Sequence, residues 1–147
     1  MTHAGQGDKQ DKVAHPSHYN QGTIEVLDFI NDHHLCFLLG NVVKYVSRYR
    51  FKNGVEDLKK ADFYLTEYIH IERYKEKSSL VKFWGMAVGR KYKYTAHEFC
   101  IDQKLSDECI EIFNIICYAS DRPRFVHAQH ILQRMIEKMV TEVQPIK

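Results

Sequence analysis

Apolar residues recur at three- and four-residue steps along this chain, the spacing of one face of an α-helix. Cys36, Leu39, Val43 and Val46 mark such a face on a helix expected from about Leu35 to Lys52. Leu58, Ala61, Leu65, Tyr68 and Ile69 mark another on a helix from Val55 to about Lys77. Asn53-Gly54 stops the first helix where the second begins. With two or three residues between them, the pair is expected to fold as an antiparallel hairpin. Upstream, Thr23 is the expected N-cap of a short helix over Ile24–Asp32, with Glu25 favourably placed in its first turn.

Beyond Ser78-Ser79 the character shifts. Leu80–Gly89 is apolar, and Arg90–Tyr94 alternates basic and aromatic residues and reads as extended. Thr95-Ala96-His97-Glu98 fits a capping box. Helices are expected over Ala96–Lys104, Ser106–Ala119 and Pro123–Val143, the last with Pro in its first turn. The pattern predicts an all-α fold: a helical-hairpin core with additional C-terminal helices. Residues 1–13 read as a polar, disordered arm, 14–77 as a module, and 78–147 as a C-terminal helical extension packed on the same domain. No internal repeat is visible.

Composition changes little of this picture. The 147 residues are 44% hydrophobic and 27% charged, ordinary for a globular domain with a core. Twenty-one basic against 19 acidic residues give +2, too little for a general nucleic-acid coat. The charge is uneven, however: Lys44, Arg48, Arg50, Lys52, Lys59 and Lys60 outnumber Glu56 and Asp57, a patch suited to a small anion. Cys36, Cys100, Cys109 and Cys117 form no CxxC pair and read as reduced thiols, mostly buried. No apolar run reaches membrane-spanning length and the first residues lack a signal-peptide core, so a cytosolic protein without membrane contact is expected.

The candidate chemistry gathers between His15 and Tyr64. Asn41, Lys44, Tyr45 and Arg48 share one side of the first hairpin helix, opposite its apolar stripe. Arg and Lys suit phosphate oxygens, Asn a base or sugar edge, and Tyr a stacking or hydroxyl contact. Asp57, Lys60, Ala61 and Tyr64 repeat the geometry on the next helix, where the two polar faces converge in a hairpin. The bland alternative is two solvated faces laced by Glu–Lys pairs. His15-Pro16-Ser17-His18-Tyr19 supplies imidazoles for a phosphate or for general acid–base work. A zinc site there lacks a second Cys/His pair, and simple capping by Ser17 with a packed Tyr19 is a further reading.

Other chemistries lack their residues. Neither a P-loop nor G-x-G-x-x-G occurs, and Gly85–Gly89 lacks the Lys-Ser/Thr that a P-loop needs. No Ser-His-Asp triad follows from scattered residues. Glu108 and Glu111 are half of a Mg²⁺-binding carboxylate pattern whose other half is absent, so they read as a solvated face. Mg²⁺ stays open as a cofactor without a carboxylate site to hold it, and no protein-held metal is assigned.

The ordered series His15–Tyr19, Gly22, Glu25, Asp28, Gly40-Asn41, Lys44-Tyr45, Arg48, Lys52, Glu56-Asp57-Leu58, Lys60-Ala61 and Tyr64-Leu65 resembles a small phage-encoded family. That family is long labelled a domain of unknown function and is also known as phage nucleotide kinase; the resemblance covers about residues 12–70. It implies a nucleotide-binding protein of the host cytoplasm, kinase-like towards (deoxy)nucleoside monophosphates without a P-loop. Carried over residue by residue, it places His15, Ser17, His18, Tyr19, Asn41, Lys44, Arg48, Lys60 and Tyr64 at the site. With the residue-level reading, His15, His18, Lys44 and Arg48 become candidate catalytic groups. Ser17, Tyr19, Asn41, Tyr45, Lys52, Asp57, Lys60 and Tyr64 become candidate nucleotide contacts. The family tends to show Arg-Ala-Gly before its basic loop, whereas this chain has Arg48-Tyr49-Arg50-Phe51, an exchange expected to add bulk and charge near the pocket.

Two other functions use the same residues or their neighbours. One is a non-catalytic protein that sequesters a nucleotide and so counters host antiphage signalling. The other is a host-protein interaction module built on Arg90–Tyr94 and the C-terminal helices. A homo-oligomer is also expected, burying apolar positions such as Ile112, Phe113, Ile115 and Ile116 between subunits.

Overall fold

A computed structural model describes residues 13, 14, 16, 19, 21–71 and 91–143. Among them the fold is all-α, with helices α1 (Val26–Asp32), α2 (Phe37–Arg48), α3 (Val55–His70), α4 (Ala96–Asp102), α5 (Asp107–Tyr118) and α6 (Arg122–Val143). A 3₁₀ turn, Tyr49–Phe51, follows α2. The expectations for residues 1–12 and for 72–90, including the end of the third helix at Lys77 and the apolar Leu80–Gly89, lie outside the described residues.

The hairpin forms as its spacing predicts. Arg48 meets Asp57, Tyr45 meets Tyr64 and Phe37 meets Tyr64, so contacts run up one helix as they run down the other. Leu58, Ala61, Leu65, Tyr68 and Ile69 are all buried, as are Leu39, Val43 and Val46. Gly54 takes a φ of 53° at the turn, where glycine escapes the Cβ penalty. Helix α2 ends at Arg48 rather than Lys52, its last turn tightening into 3₁₀ geometry. Thr95 and Glu98 form the predicted capping box of α4.

Thr23 is not the N-cap of α1. The helix starts two residues later than expected, with Glu25 as its N-cap. The Thr23 amide (3.0 Å), the Thr23 hydroxyl (2.6 Å) and the Ile24 amide (2.9 Å) instead donate to the Asp102 carboxylate at the end of α4. A charged acceptor from 79 residues away has displaced the local cap. Gly22 permits this approach, because a Cβ there would stand 2.0 Å from Asp102 Oδ2 and 2.5 Å from its carbonyl oxygen.

The absence of a repeat, expected from the sequence, is overturned by the structure. Val26 to Ala96 and Phe37 to Asp107 are both steps of 70, and α1 and α4 each have 7 residues while α2 and α5 each have 12. The corners between them match. His34 (φ 48°) and Lys104 (φ 56°) are the two positive-φ non-glycine residues among those described. Leu35 and Leu105 then donate back to Ile30 and Cys100. A step of 67, Val55 to Arg122, carries α3 onto α6, with buried Leu58, Ala61, Leu65 and Tyr68 falling on buried Phe125, Ala128, Leu132 and Met135.

The two modules embrace reciprocally. Asp102 accepts the amides of Thr23 and Ile24, and Asp32 accepts those of Lys93 and Tyr94 at 3.0 and 3.1 Å, the donors advanced by 70 and the acceptor set back by 70. Gln103 Nε2 donates to the Ile24 carbonyl at 2.7 Å, and His33 Nε2 meets the Tyr94 carbonyl at 2.7 Å. Between α3 and α6, Gln133 bonds Asp62 while Gln129 bonds Thr66, again images of each other. A contact matched by its own image is what a twofold relation produces, so the chain folds as a pseudo-dimer of two three-helix modules. Phe29 stacks on its counterpart Phe99 (centroids 4.1 Å, 11° between planes), with Phe113 beside them in one shared core.

This arrangement also revises the basis for a homo-oligomer. Ile112, Phe113 and Ile116 are buried inside the chain, because the first module covers the face that an isolated C-terminal extension would have exposed. Cys100, Cys109 and Cys117 are buried free thiols and Cys36 is half-buried. Burial in apolar surroundings pushes the Cys100 thiol far up. Among the described residues, no helix is long and apolar enough to cross a membrane.

Candidate functional site

Arg48 is the strut of the α2–α3 hairpin. Its side chain is 8% exposed and that of Asp57 is 0%, and Nη2 and Nε reach the two carboxylate oxygens at 3.1 Å each. Nη1 donates to the Tyr19 hydroxyl. Burial opposes the charge, but hydrogen bonding to Asp57 and the pull of Tyr19 and Asp57 outweigh it and raise the guanidinium above its ordinary value. Asp57 also accepts the Asn53 amide at 3.4 Å, so one carboxylate closes the turn and neutralises Arg48. The polar side of α2 is therefore less open than its spacing suggested: Asn41 and Arg48 are buried, while Lys44 and Tyr45 are half-buried.

Asn41 aims Lys44. Its amide nitrogen donates to the Phe37 carbonyl at 2.8 Å, which turns the amide oxygen to Lys44 Nζ at 2.7 Å. Lys44 thus bonds a neutral amide, whereas Lys60 pairs with Glu56 at 2.6 Å on an exposed stretch of α3. Tyr45 stands among three cations, with Lys44 Nζ 4.4 Å, Arg48 Cζ 4.7 Å and Lys60 Nζ 5.8 Å from its ring centroid. Tyr64 stacks on Tyr45 at 5.9 Å and 14°. Exposed Phe37 and Phe63 flank Tyr64 edge-on. The two helical faces do converge, on Tyr45.

Lys44 and Tyr19 also line a cavity of about 250 Å³. Its other walls are Val13, Ala14 and Pro16 from the preceding loop and Glu25, Val26, Leu27 and Ile30 from α1. The sequence reading missed this wall, although Glu25 was part of the motif series. His15, Ser17 and His18 lie outside the described residues, between positions that line the cavity. Lys52 is exposed on the turn after α2, away from the cavity lining.

Tyr49 and Arg50 do not crowd this cavity. Arg50 Nη2 donates to the carbonyls of Gln103 (3.3 Å) and Lys104 (2.5 Å), at the C-terminal end of α4 where the helix dipole favours a cation. Tyr49 is half-buried against the core, and burial raises its phenol above the ordinary value. The bulk expected near the pocket instead fastens the first module to the second.

Residues 13–66 match a family model described as a protein of unknown function (DUF3310). The match runs from the loop before α1 into α3, within the first module. No curated protein and no solved structure matches the chain. The DUF3310 segment contains the Arg48–Asp57–Tyr19 strut, the Asn41–Lys44 pair, the Tyr45–Tyr64 stack and the whole cavity lining. Glu108 and Glu111, outside it, are exposed as expected, and Glu111 bonds His127 at 2.7 Å.

Proposed function

We propose that the protein binds a nucleoside phosphate on the α2–α3 face of its first module. The carrying observation is the Tyr45 ring among the side chains of Lys44, Arg48 and Lys60, stacked on Tyr64 beside a cavity that Lys44 and Tyr19 line. Lys44 and Lys60 take phosphate oxygens as point charges, and the cavity between Tyr19, Leu27 and Ile30 takes the base or sugar. Arg48 holds Tyr19 and the hairpin in register rather than meeting the ligand, since Asp57 and Tyr19 already engage it. Asn41 acts through Lys44.

Phosphoryl transfer to a (deoxy)nucleoside monophosphate is the activity that the sequence resemblance implies. It asks of the protein mainly positioning and charge neutralisation, with His15 or His18 as proton relay. The locking of Arg48 favours a second reading, sequestration of the nucleotide without turnover, because it removes the one guanidinium from the charge that faces the ligand.

Calorimetric titration with dTMP and dGMP tests binding, and Lys44→Ala abolishing it supports the assignment. Recovering the ligand after denaturation separates the readings: a diphosphate formed in the presence of ATP indicates transfer, and unchanged monophosphate indicates sequestration. No heat with either nucleotide sinks the proposal.

A further inference from the structure

The pseudo-twofold that relates the modules carries the candidate site onto a second place in the chain. Advancing by 70 takes Asn41, Lys44, Tyr45 and Arg48 to Glu111, Asn114, Ile115 and Tyr118. Advancing by 67 takes Asp57 and Lys60 to Arg124 and His127. All six of these counterparts line one open groove of about 570 Å³ between α5 and α6. The register of the two modules and the concavity of the surface thus coincide at these six positions.

We infer that this groove is a second copy of the α2–α3 face of the ligand site, with its charge rewritten and, among the described residues, without the cavity that α1 walls in the first module, so that each chain takes one nucleoside phosphate, at the first module only. This rests on the nucleotide reading of the α2–α3 face. Each change removes a feature that the first site uses. Asn114 stands where Lys44 offers its ammonium, and His127, bonded to Glu111 at 2.7 Å, stands where Lys60 does. Glu111 itself places a carboxylate where Asn41 presents a neutral amide, which repels phosphate. Ile115 replaces the cation-ringed Tyr45, and the counterpart of Tyr64 is buried Ile131, so no stacked ring pair remains.

The strut has been rebuilt as well. Tyr118 replaces Arg48 and accepts the Ala96 amide at 3.0 Å, while Arg124 replaces Asp57 and pairs with Asp121 at 3.3 Å. No ion pair therefore crosses from α5 to α6 at the position where Arg48 and Asp57 join α2 to α3. Buried Asn41, Arg48 and Asp57 thus have exposed counterparts in Glu111, Tyr118 and Arg124, while the apolar positions beneath them, Val42 and Val46 against Ile112 and Ile116, are buried in both modules.

Calorimetric stoichiometry tests this. The wild-type chain is expected to bind one dTMP, and the triple variant Glu111→Asn, Asn114→Lys, His127→Lys to add a second, weaker binding event, since it restores the charge but neither the ring pair nor the cavity. All three positions are exposed, so the variant should fold, with its circular-dichroism melt as the check; should it not, Asn114→Lys alone adds a weaker second event. One dTMP bound by wild type and still one by the folded variants overturns the inference and leaves the nucleotide reading standing. Two bound by wild type also overturns it, since the second groove would then be competent. None bound by any form overturns both.

Discussion

Asp32 and Asp102 each hold the other's module: Asp32 receives the amides of Lys93 and Tyr94, and Asp102 those of Thr23 and Ile24. Each carboxylate ties down the segment just ahead of the opposite module's first helix, pairing backbone amides that precede its N-cap. Asp102 carries more, since the Thr23 hydroxyl and Gln103 Nε2 also donate to it. Burial opposes its ionisation, but these donors outweigh burial and hold the carboxyl below its usual range.

Replacing either carboxylate by Asn sets an amide donor against backbone donors. Asp32→Asn and Asp102→Asn are each expected to cost about 1–3 kcal/mol, with Asp102→Asn the larger. Urea denaturation measures both. Because the folded-state value of Asp102 is depressed, its contribution is present above the unfolded value near ~4 and is lost as the pH falls through the folded one. Asp102→Asn should therefore flatten the acid limb of the stability curve.

Gly22→Ala should be as damaging as losing the carboxylate it faces. The new Cβ meets the Asp102 backbone oxygen as well as its side chain, so a rotamer change cannot relieve both clashes. A loss of about 1–3 kcal/mol is expected from the overpacking alone. A melting temperature equal to wild type would mean that Thr23 and Ile24 are not held against Asp102 as described.

His33 makes the first half of the clamp sensitive to pH, and Gln103, its counterpart, does the same work without titrating. Nε2 must carry the proton that it gives to the Tyr94 carbonyl, which leaves Nδ1 buried without a partner. Burial lowers the affinity of His33 for a second proton, against the Tyr94 carbonyl and Asp32, which favour it. Tyr92 and Tyr118 pack on the ring and His34 follows it. With a depressed folded value, the stability His33 confers is full above the unfolded value near ~6.5 and declines as the pH falls below it. His33→Gln is expected to keep the clamp and remove that decline, read from melting temperatures between pH 8 and 5.

How much of this the sequence disclosed follows from where the determining contacts lie. The α3 stripe and the Thr95–Glu98 box are set by neighbours within one or two turns, and both were legible. The cap on Thr23 and the burial of Arg48 depend on partners that only the fold brings close. The repeat escaped notice because burial constrains apolar volume rather than identity. Val43 and Phe113, or Tyr68 and Met135, fill equivalent places, and on the helices and their corners the same residue recurs at Phe29/Phe99, Asp32/Asp102, Leu35/Leu105, Ala61/Ala128, Leu65/Leu132 and Ile69/Ile136. The convergence on Tyr45 was legible as two faces, but the cavity wall from α1 was not, since Leu27 and Ile30 carry no polar signal.

The last prediction separates holding the site from being the site, by contrasting Arg48 with Lys44. Arg48→Met leaves the Asp57 carboxylate buried without its cation, and breaking such a pair costs about 3–5 kcal/mol. The double variant Arg48→Met, Asp57→Leu removes both charges and should recover much of that loss, because a buried pair is worth little more than well-packed apolar groups. Lys44 is half-buried and, among the described residues, its hydrogen bond goes to a neutral amide, so Lys44→Ala should shift stability by less than about 1 kcal/mol while abolishing dTMP binding. If the double variant refolds and still binds dTMP within a few-fold of wild type, Arg48 positions the hairpin and does not touch the ligand. If binding is lost from a stable double variant, the guanidinium itself meets the phosphate, and Asp57 must then release it when the ligand arrives.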